Sequence, residues 1–397
     1  ISFDSNSVES FDFESLSRVM LGEDGGGMML DTLPIVEINS DITTNQIWTA
    51  NNIYDVNGPI NVQALLVIEP GTIIRFVRNS SYLPSESSLH VNNGGTLISC
   101  GTPNNLITYT SALSWPFRGD YRNAIVVEET ASPATRIEFC KFAWASTAVV
   151  IKNNRLDTPI ENNFFNTAWT GLLEYGPKLT DIINNEFYHA EHEGIVVHMA
   201  SEEGVADANT SILIENNNCE STHQYDLEVG HYGDYGIVVI GVCEECEAEA
   251  GKVMIADNII ANFERQGISL SGLAWWGVYN NGYYCNGENN NFNSFTPPLE
   301  EENPVELGER EDPFVRECEY GDCYRYGDWL KPNCPFIDAG SQYIEEKRFV
   351  GQTTDVNGIP DKGVVDIGKH YASSWHPGAL PNENWTYSNA GVGCAAG

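Results

Sequence analysis

The sequence predicts an all-β fold: a right-handed parallel β-helix with an extended N-terminal arm and a disulfide-rich C-terminal cap. Three observations lead to this prediction. A four-residue Asn motif recurs, in several places about 22 residues apart, a β-branched run follows each copy, and the composition is rich in Gly and aromatic residues but poor in Lys, Arg and Met. A repeating unit of this size cannot bury its apolar face alone, so successive units must stack as a solenoid.

The Asn motif has the form apolar-x-Asn/Asp-Asn and occurs at Ile160–Asn163, Ile182–Asn185, Ile214–Asn217, Ile255–Asn258 and Val278–Asn281. The segment Ile137–Cys140 fits the same frame, with Cys in the last place. Stacking would place equivalent positions roughly 4.8 Å apart. We therefore expect a ladder of side-chain amides formed by Asn163, Asn185, Asn217, Asn258 and Asn281. The alternative is a set of unrelated Asn-rich loops.

The second marker is a short run rich in β-branched residues, found at Ala148–Ile151, Gly171–Glu174, Gly194–Val197, Gly236–Val239 and Gly267–Leu270. Four of these runs begin 11 or 12 residues after the start of the preceding motif, counting Ile137–Cys140 as one, whereas the run at Gly236 begins 22 residues after. The extra residues before Gly236 predict an inserted loop. The unit is therefore expected to read strand, Asn turn, strand, turn.

The net charge of the chain restricts the classes of molecule that it is expected to bind. The 397 residues include 56 Asp and Glu but only 20 Lys and Arg, which gives a formal net charge of −36. A surface of this sign repels nucleic acid and anionic membranes, so we expect no nucleic-acid partner. No uninterrupted apolar run is long enough for a transmembrane helix, so no membrane span is expected. The charge suits divalent cations or a cationic partner, or it serves solubility alone.

The chain is predicted to have four regions, which differ in whether they contain the repeat. The polar, Gly-rich residues 1–34 form the extended arm, and residues 35–285 form the parallel β-helix. Residues 286–335 lose the repeat and form an irregular, disulfide-rich insertion. Residues 336–397 form a closing segment and a C-terminal tail.

Several segments resemble a known group. This group is the secreted bacterial right-handed β-helix repeat proteins of the pectin-lyase-like superfamily. Its first coils resemble Asp41–Tyr54 with Ile68–Thr72, and its next coils resemble Asn93–Leu97 with Asn105–Tyr109. Its closing segment resembles Phe336–Ser341 with Thr354–Tyr371. The resemblance covers roughly residues 35 to 371 and implies the fold and secretion. It does not imply one function, because the group mixes polysaccharide lyases and hydrolases, adhesins and surface proteins.

Cysteine usage also indicates an oxidising compartment. The chain has an even number of Cys residues, all of them disulfide candidates: Cys100, Cys140, Cys219, Cys243, Cys246, Cys285, Cys318, Cys323, Cys334 and Cys394. The Cys243–Cys246 pair also has the spacing of half a zinc site or a redox pair, but disulfides are the favoured interpretation. Glycosylation sequons are present at Asn79, Asn209 and Asn384. A chain that begins at Ile1 is expected to have lost a signal peptide, so the predicted location is extracellular or at the cell surface.

Histidines and carboxylates concentrate in two neighbouring coils. The catalytic candidates are His189, His192, Glu193, His223 and His231, and Asp234 lies in the same inserted loop as the last two. Such groups can act as general acids and bases or bind a metal ion. The alternative is a solvated loop surface.

A calcium site is predicted at the acidic turn that contains Asp355, Asn357 and Asp361, because the side chains of these residues offer the oxygen ligands that suit Ca²⁺. A closing motif of the fold explains these residues equally well, and no cofactor is required. The aromatic pair Trp275–Trp276 is either a sugar-stacking platform or part of the core.

These observations leave three functions. The first is a structural subunit of a self-assembling extracellular filament, sheath or surface layer, whose N-terminal arm docks on a neighbouring copy. The second is a polysaccharide lyase or glycoside hydrolase that acts on an extracellular polysaccharide. The third is a carbohydrate-binding adhesin. The sequence alone does not decide whether the protein is an enzyme.

Overall fold

The fold is taken from a computed structural model of the chain. The structure describes residues 33–78, 84–114, 116–117, 119–166, 169–188, 190, 192–201, 204–205, 210–221, 234–241, 250–293, 301–307, 313–314, 317–319, 322–324, 330–331, 333–347, 350–354 and 359–372. The arm predicted for residues 1–34 therefore lies almost wholly outside the described residues.

Three parallel sheets run the length of the molecule. Sheet 1 has 11 strands: Ile35–Ile38, Ile53–Val56, Ile73–Phe76, Ile107–Ser111, Cys140–Ala143, Phe164–Asn166, Glu186–Tyr188, Asn218–Glu220, Ile259–Ala261, Gly282–Tyr284 and Val305–Leu307. Sheet 2 has nine: Pro59–Val62, Ser88–Val91, Tyr121–Val127, Ala145–Lys152, Thr170–Tyr175, Glu193–His198, Tyr235–Ile240, Gln266–Ser271 and Glu288–Asn293. Sheet 3 also has nine: Gln46–Trp48, Leu65–Ile68, Thr96–Cys100, Arg136–Glu138, Ile160–Glu161, Ile182–Ile183, Ser211–Glu215, Ala250–Ala256 and Leu273–Tyr279.

The chain visits sheets 1, 2 and 3 in turn and then returns to sheet 1, one coil higher. This is the architecture of a parallel β-helix solenoid, as predicted. The coils between the two ends, however, contain three strands each rather than the two expected from the repeat. The overlooked strand is the one in sheet 1, for example Phe164–Asn166, which has only three residues and directly follows the Asn turn. So short a segment carries no periodic signal of its own.

Strands stack in constant register, so equivalent residues form columns along the molecule. In sheet 2, for instance, Val149, Leu172, Ile195, Ile237 and Ile268 are successive partners, and all five are buried. The parallel strands pack their inner faces into one continuous core that extends from Ile42 to Tyr283. Because each coil contacts only its neighbours, this column structure is what holds the solenoid together.

The predicted Asn residues form a ladder at the corner between sheets 3 and 1. The Oδ1 atom of Asn185 accepts the backbone N–H of Asn163 at 3.0 Å and its Nδ2 at 3.1 Å. The same pair of contacts joins Asn185 to Asn217, Asn217 to Asn258 and Asn258 to Asn281. All five side chains are buried, so each amide satisfies backbone groups that water cannot reach.

The first residue of each Asn turn has a different task. Asn162, Asn184, Asn216, Asp257 and Asn280 all have φ between 51° and 61°, in the left-handed region. Asn and Asp tolerate this conformation better than other residues with a Cβ atom. The motif therefore combines a residue that turns the chain with one that joins coils. Cys140 stands above the first rung, where its backbone N–H donates to Asn163 Oδ1 at 2.9 Å.

Aromatic rings fill the inner column of sheet 1. Tyr109, Phe142, Phe165 and Phe187 stack with ring centroids 4.6 to 5.1 Å apart. Space for them comes from the first Gly of the β-branched runs, because an added Cβ atom at Gly171 would lie 2.3 Å from Cδ1 of Phe187. A side chain at that position would force the two sheets apart.

The solenoid continues beyond the predicted boundary at residue 285. Glu288–Asn293 adds a strand to sheet 2 and Val305–Leu307 adds one to sheet 1. The first of these strands reads Glu-Asn-Asn-Asn-Phe-Asn, which has no apolar alternation by which the sequence could reveal a strand.

Short secondary-structure elements lie outside the three parallel sheets. Three antiparallel pairs are present, Ala200–Ser201 with Gly204–Val205, Glu317–Glu319 with Asp322–Tyr324, and Gln352–Thr353 with Tyr371–Ala372. The described part of the chain contains one 3₁₀ turn, Ile344–Glu346, and no α-helix.

Four of the ten disulfide candidates, Cys100, Cys140, Cys219 and Cys334, are thiols in this structure. Cys219 lies in the aromatic column between Phe187 and Ile260, so neither register partner is a cysteine. Cys100 points outward on sheet 3, whereas Cys140 is fully buried. Cys285 is disulfide-bonded. The side chains of Cys243, Cys246, Cys318, Cys323 and Cys394 lie outside the described residues.

One acidic side chain occupies the core itself. Glu174 is an inner-face partner of Ile151 and Val197 and is fully buried. Its Oε1 accepts the backbone N–H of Thr180 at 2.7 Å, while Oε2 is unsatisfied among the described residues. Burial raises the pKa of this carboxyl well above its ordinary value, so the protonated acid is the form that suits the core.

We predict that Asn217→Ala lowers the free energy of unfolding by about 2–4 kcal/mol, because the backbone N–H of Asn185 and the carbonyl of Ile182 lose their buried partner. Urea denaturation followed by circular dichroism measures the change. Asn39→Ala is the matched control, since Asn39 makes only exposed contacts, and it should change stability by less than about 0.5 kcal/mol. Equal losses in both variants would contradict a supporting role for the ladder.

A second prediction concerns pH. The unfolded chain releases the Glu174 proton at a lower pH than the folded chain, so this residue's contribution to stability is complete below about pH 4.5 and is lost as pH rises. Between the pKa of Glu174 in the unfolded chain and its pKa in the folded chain, the free energy of unfolding falls by at most about 1.4 kcal/mol per pH unit. Glu174→Gln should remove this slope and make the protein more stable at pH 8. A variant as pH-dependent as the parent in urea titrations would refute the assignment.

Candidate functional site

Two of the five catalytic candidates fall within the described residues. His192 and Glu193 lie at the corner where the chain passes from sheet 1 to sheet 2. His189, His223 and His231 lie outside the described residues. Asp234, from the inserted loop, occupies the same corner as His192, one coil further along the solenoid.

The stacking brings five coils together at this corner. Backbone hydrogen bonds join the carbonyl of Trp169 to the N–H of His192, the carbonyl of His192 to the N–H of Tyr235, and the carbonyl of Asp234 to the N–H of Arg265. The adjoining strand residues Thr170, Glu193, Tyr235, Gln266 and Glu288 are successive register partners. We refer to these two neighbouring columns as the corner stripe, made of Trp169, Thr170, His192, Glu193, Asp234, Tyr235, Arg265, Gln266 and Glu288.

Exposed rings mark one end of the corner stripe. The Trp169 side chain is 58% exposed, which is unusual for the largest apolar residue type. Its ring centroid lies 5.1 Å from that of His192, with the two planes tilted by 50°. The His192 side chain is itself 40% exposed, so both rings are open to a ligand.

Glu193 is a titratable group of the corner stripe whose pKa is raised by its surroundings. It is half-buried, and its Oε2 accepts the hydroxyl of Thr170 at 2.8 Å. Burial raises the pKa of this carboxyl above its ordinary value, against the hydrogen bond from Thr170 and the charge of His192, which act to lower it. A carboxylic acid that keeps its proton to a higher pH can serve as a general acid.

Asp234 is held in place from two sides. Its Oδ2 lies 3.4 Å from Nδ1 of His192, and its Oδ1 lies 3.0 Å from Nε of Arg265. Arg265 also extends over the ring of Tyr235, with 5.9 Å between the guanidinium carbon and the ring centroid. The imidazole of His192 and the guanidinium of Arg265 are thus both engaged by one carboxylate.

Sequence reasoning did not select Trp169, Tyr235 or Arg265. A signal for them existed. Trp169, His192, Asp234 and Arg265 each stand two residues before the Gly that opens a β-branched run, so the motif spacing places all four at one corner. The sequence did not give the register between coils, and only that register shows that equally spaced residues lie above one another.

The calcium prediction falls partly within the described residues. Asp361 lies with Asp338 and Asp366, and one carboxylate oxygen of each residue lies within 4.8 Å of the others. Asp355 and Asn357 lie outside the described residues. Asp361 also contacts Nε2 of His370 at 3.0 Å, and burial raises the pKa of the Asp366 carboxyl. Carboxylates are the ligands that Ca²⁺ takes, so the calcium site stays a prediction, with Asp338 and Asp366 as further candidate ligands.

This acidic cluster belongs to the closing segment, which packs against the outside of the Asn corner. Lys347 is buried between Asp257, at 2.9 Å, and Glu215. Lys369 is buried as well and donates to the carbonyl of Asn163 at 3.1 Å, above the ring of Phe164. These buried and paired cations tie the segment to the solenoid and are not accessible for chemistry.

The remaining site predictions have simple outcomes. Asn79, Asn209 and Asn384 lie outside the described residues, so glycosylation stays a prediction. Trp276 is buried in the core, whereas Trp275 is 39% exposed on sheet 3, away from the corner stripe. Among the described residues, no helix has both the length and the apolar character needed to cross a membrane.

Comparison of the chain with models of protein families, with curated proteins and with solved structures gives no match in any of the three. The resemblance to the pectin-lyase-like superfamily therefore stays a prediction at the level of family, while the parallel β-helix architecture rests on the strand pairing described above.

Proposed function

We propose that the protein is an extracellular, polysaccharide-binding β-helix whose ligand lies on the corner stripe, and that Glu193 is the group placed to protonate a glycosidic oxygen during cleavage. The observation that carries the proposal is the position of Glu193, a carboxyl with a raised pKa, on the coil next to the exposed ring of Trp169.

The chemistry of the corner stripe supports this proposal. Exposed aromatic rings offer flat apolar platforms to the faces of sugar rings. Carboxyl groups at Glu193, Asp234 and Glu288 offer hydrogen-bond partners to sugar hydroxyls. A long row of such groups suits a polymer, which can contact several of them at once, better than a small molecule.

The location and the family are part of the same proposal. The resemblance to secreted β-helix proteins, the three sequons and the acidic charge favour an extracellular protein of the pectin-lyase-like type. The buried thiols Cys140 and Cys219 lie in the apolar core, where an oxidising compartment does not force them to pair.

We predict that Glu193→Gln reduces the rate of polysaccharide cleavage by about 10²–10⁴ while leaving binding intact, because Gln cannot supply the proton. The acid form of Glu193 is lost as pH rises through its raised pKa, so the cleavage rate of the unaltered protein should fall over that interval. Reducing-end release from a polysaccharide panel measures both effects. Glu138→Gln, on sheet 3, is the control and should cleave normally. Unchanged cleavage by Glu193→Gln would contradict the catalytic role, and no binding to any polysaccharide would contradict the proposal itself.

A second candidate function is the self-assembling extracellular filament, sheath or surface layer. The observation that favours it is the pair of sheet edges at the two ends of the solenoid. Ile35–Ile38 and Gln46–Trp48 at one end, and Leu273–Tyr279 and Glu288–Asn293 at the other, each pair with only one neighbour among the described strands. Such edges are templates for strand addition by another copy of the chain.

If this second function is correct, native protein should sediment as a polymer and appear as rods or sheets in negatively stained images. Removal of residues 1–32, the part of the predicted arm outside the described residues, should reduce it to monomers. A monomeric native protein would contradict the assembly hypothesis. Polymers of unchanged length after removal of residues 1–32 would contradict the role of the arm.

A further inference from the structure

We infer that the polysaccharide bound at the corner stripe is an uncharged, extended chain that lies parallel to the long axis of the solenoid. The inference rests on the proposed function and adds the substrate class to it. It follows from two features of the corner stripe, the spacing of its aromatic residues and the sign of its charges.

The aromatic spacing sets the direction and the shape of the ligand. Trp169 and Tyr235 stand at the same corner on coils that are two apart, with the coil of His192 between them. Coils are separated by roughly 4.8 Å, so these two residues are offset by about 9.6 Å along the axis. The Trp169 ring is exposed and can stack on one sugar, whereas the Tyr235 ring is half-buried beneath the guanidinium of Arg265. In a ribbon-like chain of β-1,4-linked sugars, alternate rings turn the same face to one side, so the second sugar beyond Trp169 would lie level with Tyr235 and Arg265.

The charges exclude an anionic ligand. The carboxyl groups of Glu193, Asp234 and Glu288 line the corner stripe. Its one guanidinium among the described residues, that of Arg265, already contacts Asp234. The chain as a whole carries a formal charge of −36. A polyuronate would bring a carboxylate on every sugar against this surface, and like charges in close contact repel. Neutral sugar hydroxyls, in contrast, can donate hydrogen bonds to the same carboxylates.

The length of the corner stripe also favours a polymer. Its strand column runs over five coils, from Thr170 to Glu288. Five coils span about 19 Å between the first and the last, which exceeds the length of a disaccharide. The affinity should therefore rise with the number of sugars until the corner stripe is filled.

Isothermal titration of the full chain tests this inference. The probes are neutral β-1,4-linked di-, tetra- and hexasaccharides (cello-, xylo- and N-acetylchito-oligosaccharides), and hexagalacturonate with and without Ca²⁺. We expect at least one neutral hexasaccharide to bind at least about tenfold more tightly than its disaccharide and than hexagalacturonate. Trp169→Ala should weaken that binding by about tenfold or more, and Tyr235→Ala by a smaller factor. Trp275→Ala is the matched control, because Trp275 is exposed on sheet 3, and should change binding less than twofold.

The outcomes separate this inference from the proposed function. Hexagalacturonate that binds as tightly as every neutral hexasaccharide, and loses affinity in Trp169→Ala, would overturn the substrate class but leave the proposed function standing. Disaccharides that bind as well as hexasaccharides would overturn the axial orientation. Neutral binding that is lost in Trp275→Ala and kept in Trp169→Ala would overturn the corner stripe as the site. An absence of binding to every probe and to a polysaccharide panel would overturn the proposed function itself.

Discussion

The interaction on which the rest of the molecule depends is the coupling of one coil to the next by the buried Asn amides. Each Oδ1 atom accepts both the backbone N–H and the side-chain amide of the preceding coil, so a coil displaced by one residue would leave buried polar groups without partners. The ladder therefore fixes the register between coils as well as contributing stability. Main-chain pairing alone would fix it less strongly, since all backbone units are alike.

A fixed register converts spacing in the sequence into position in space. The aromatic column of Tyr109, Phe142, Phe165 and Phe187 forms because residues of one type recur at one place in the coil. The corner stripe forms in the same way from residues of different types, which gives a row of different functional groups instead of a uniform core. Loops can be inserted between strands, as before Tyr235, without disturbing either column.

The two corners beside sheet 1 have different roles in the molecule. At the corner with sheet 3, the Asn and Asp side chains form the ladder, make the turns or contact the closing segment. Lys347 of that segment is buried and offsets the charges of Asp257 and Glu215. At the corner with sheet 2, Trp169 and His192 are exposed, and the ion pair between Asp234 and Arg265 lies at the surface. Stabilising contacts are thus concentrated on one side, which leaves the other available for a ligand.

The sequence by itself determined the parallel β-helix, the five Asn positions of the ladder and the His192–Glu193 pair, because each depends on residue type and spacing along the chain. It could not reveal the three-residue strands of sheet 1, the polar strand Glu288–Asn293 or the thiol state of Cys219, because these depend on neighbours contributed by other coils. Only the tertiary structure decided that Trp169, Glu193 and Asp234 share one corner. The physical reason is that contacts between coils join residues about 20 to 40 positions apart, and the chain alone does not specify which register those contacts adopt.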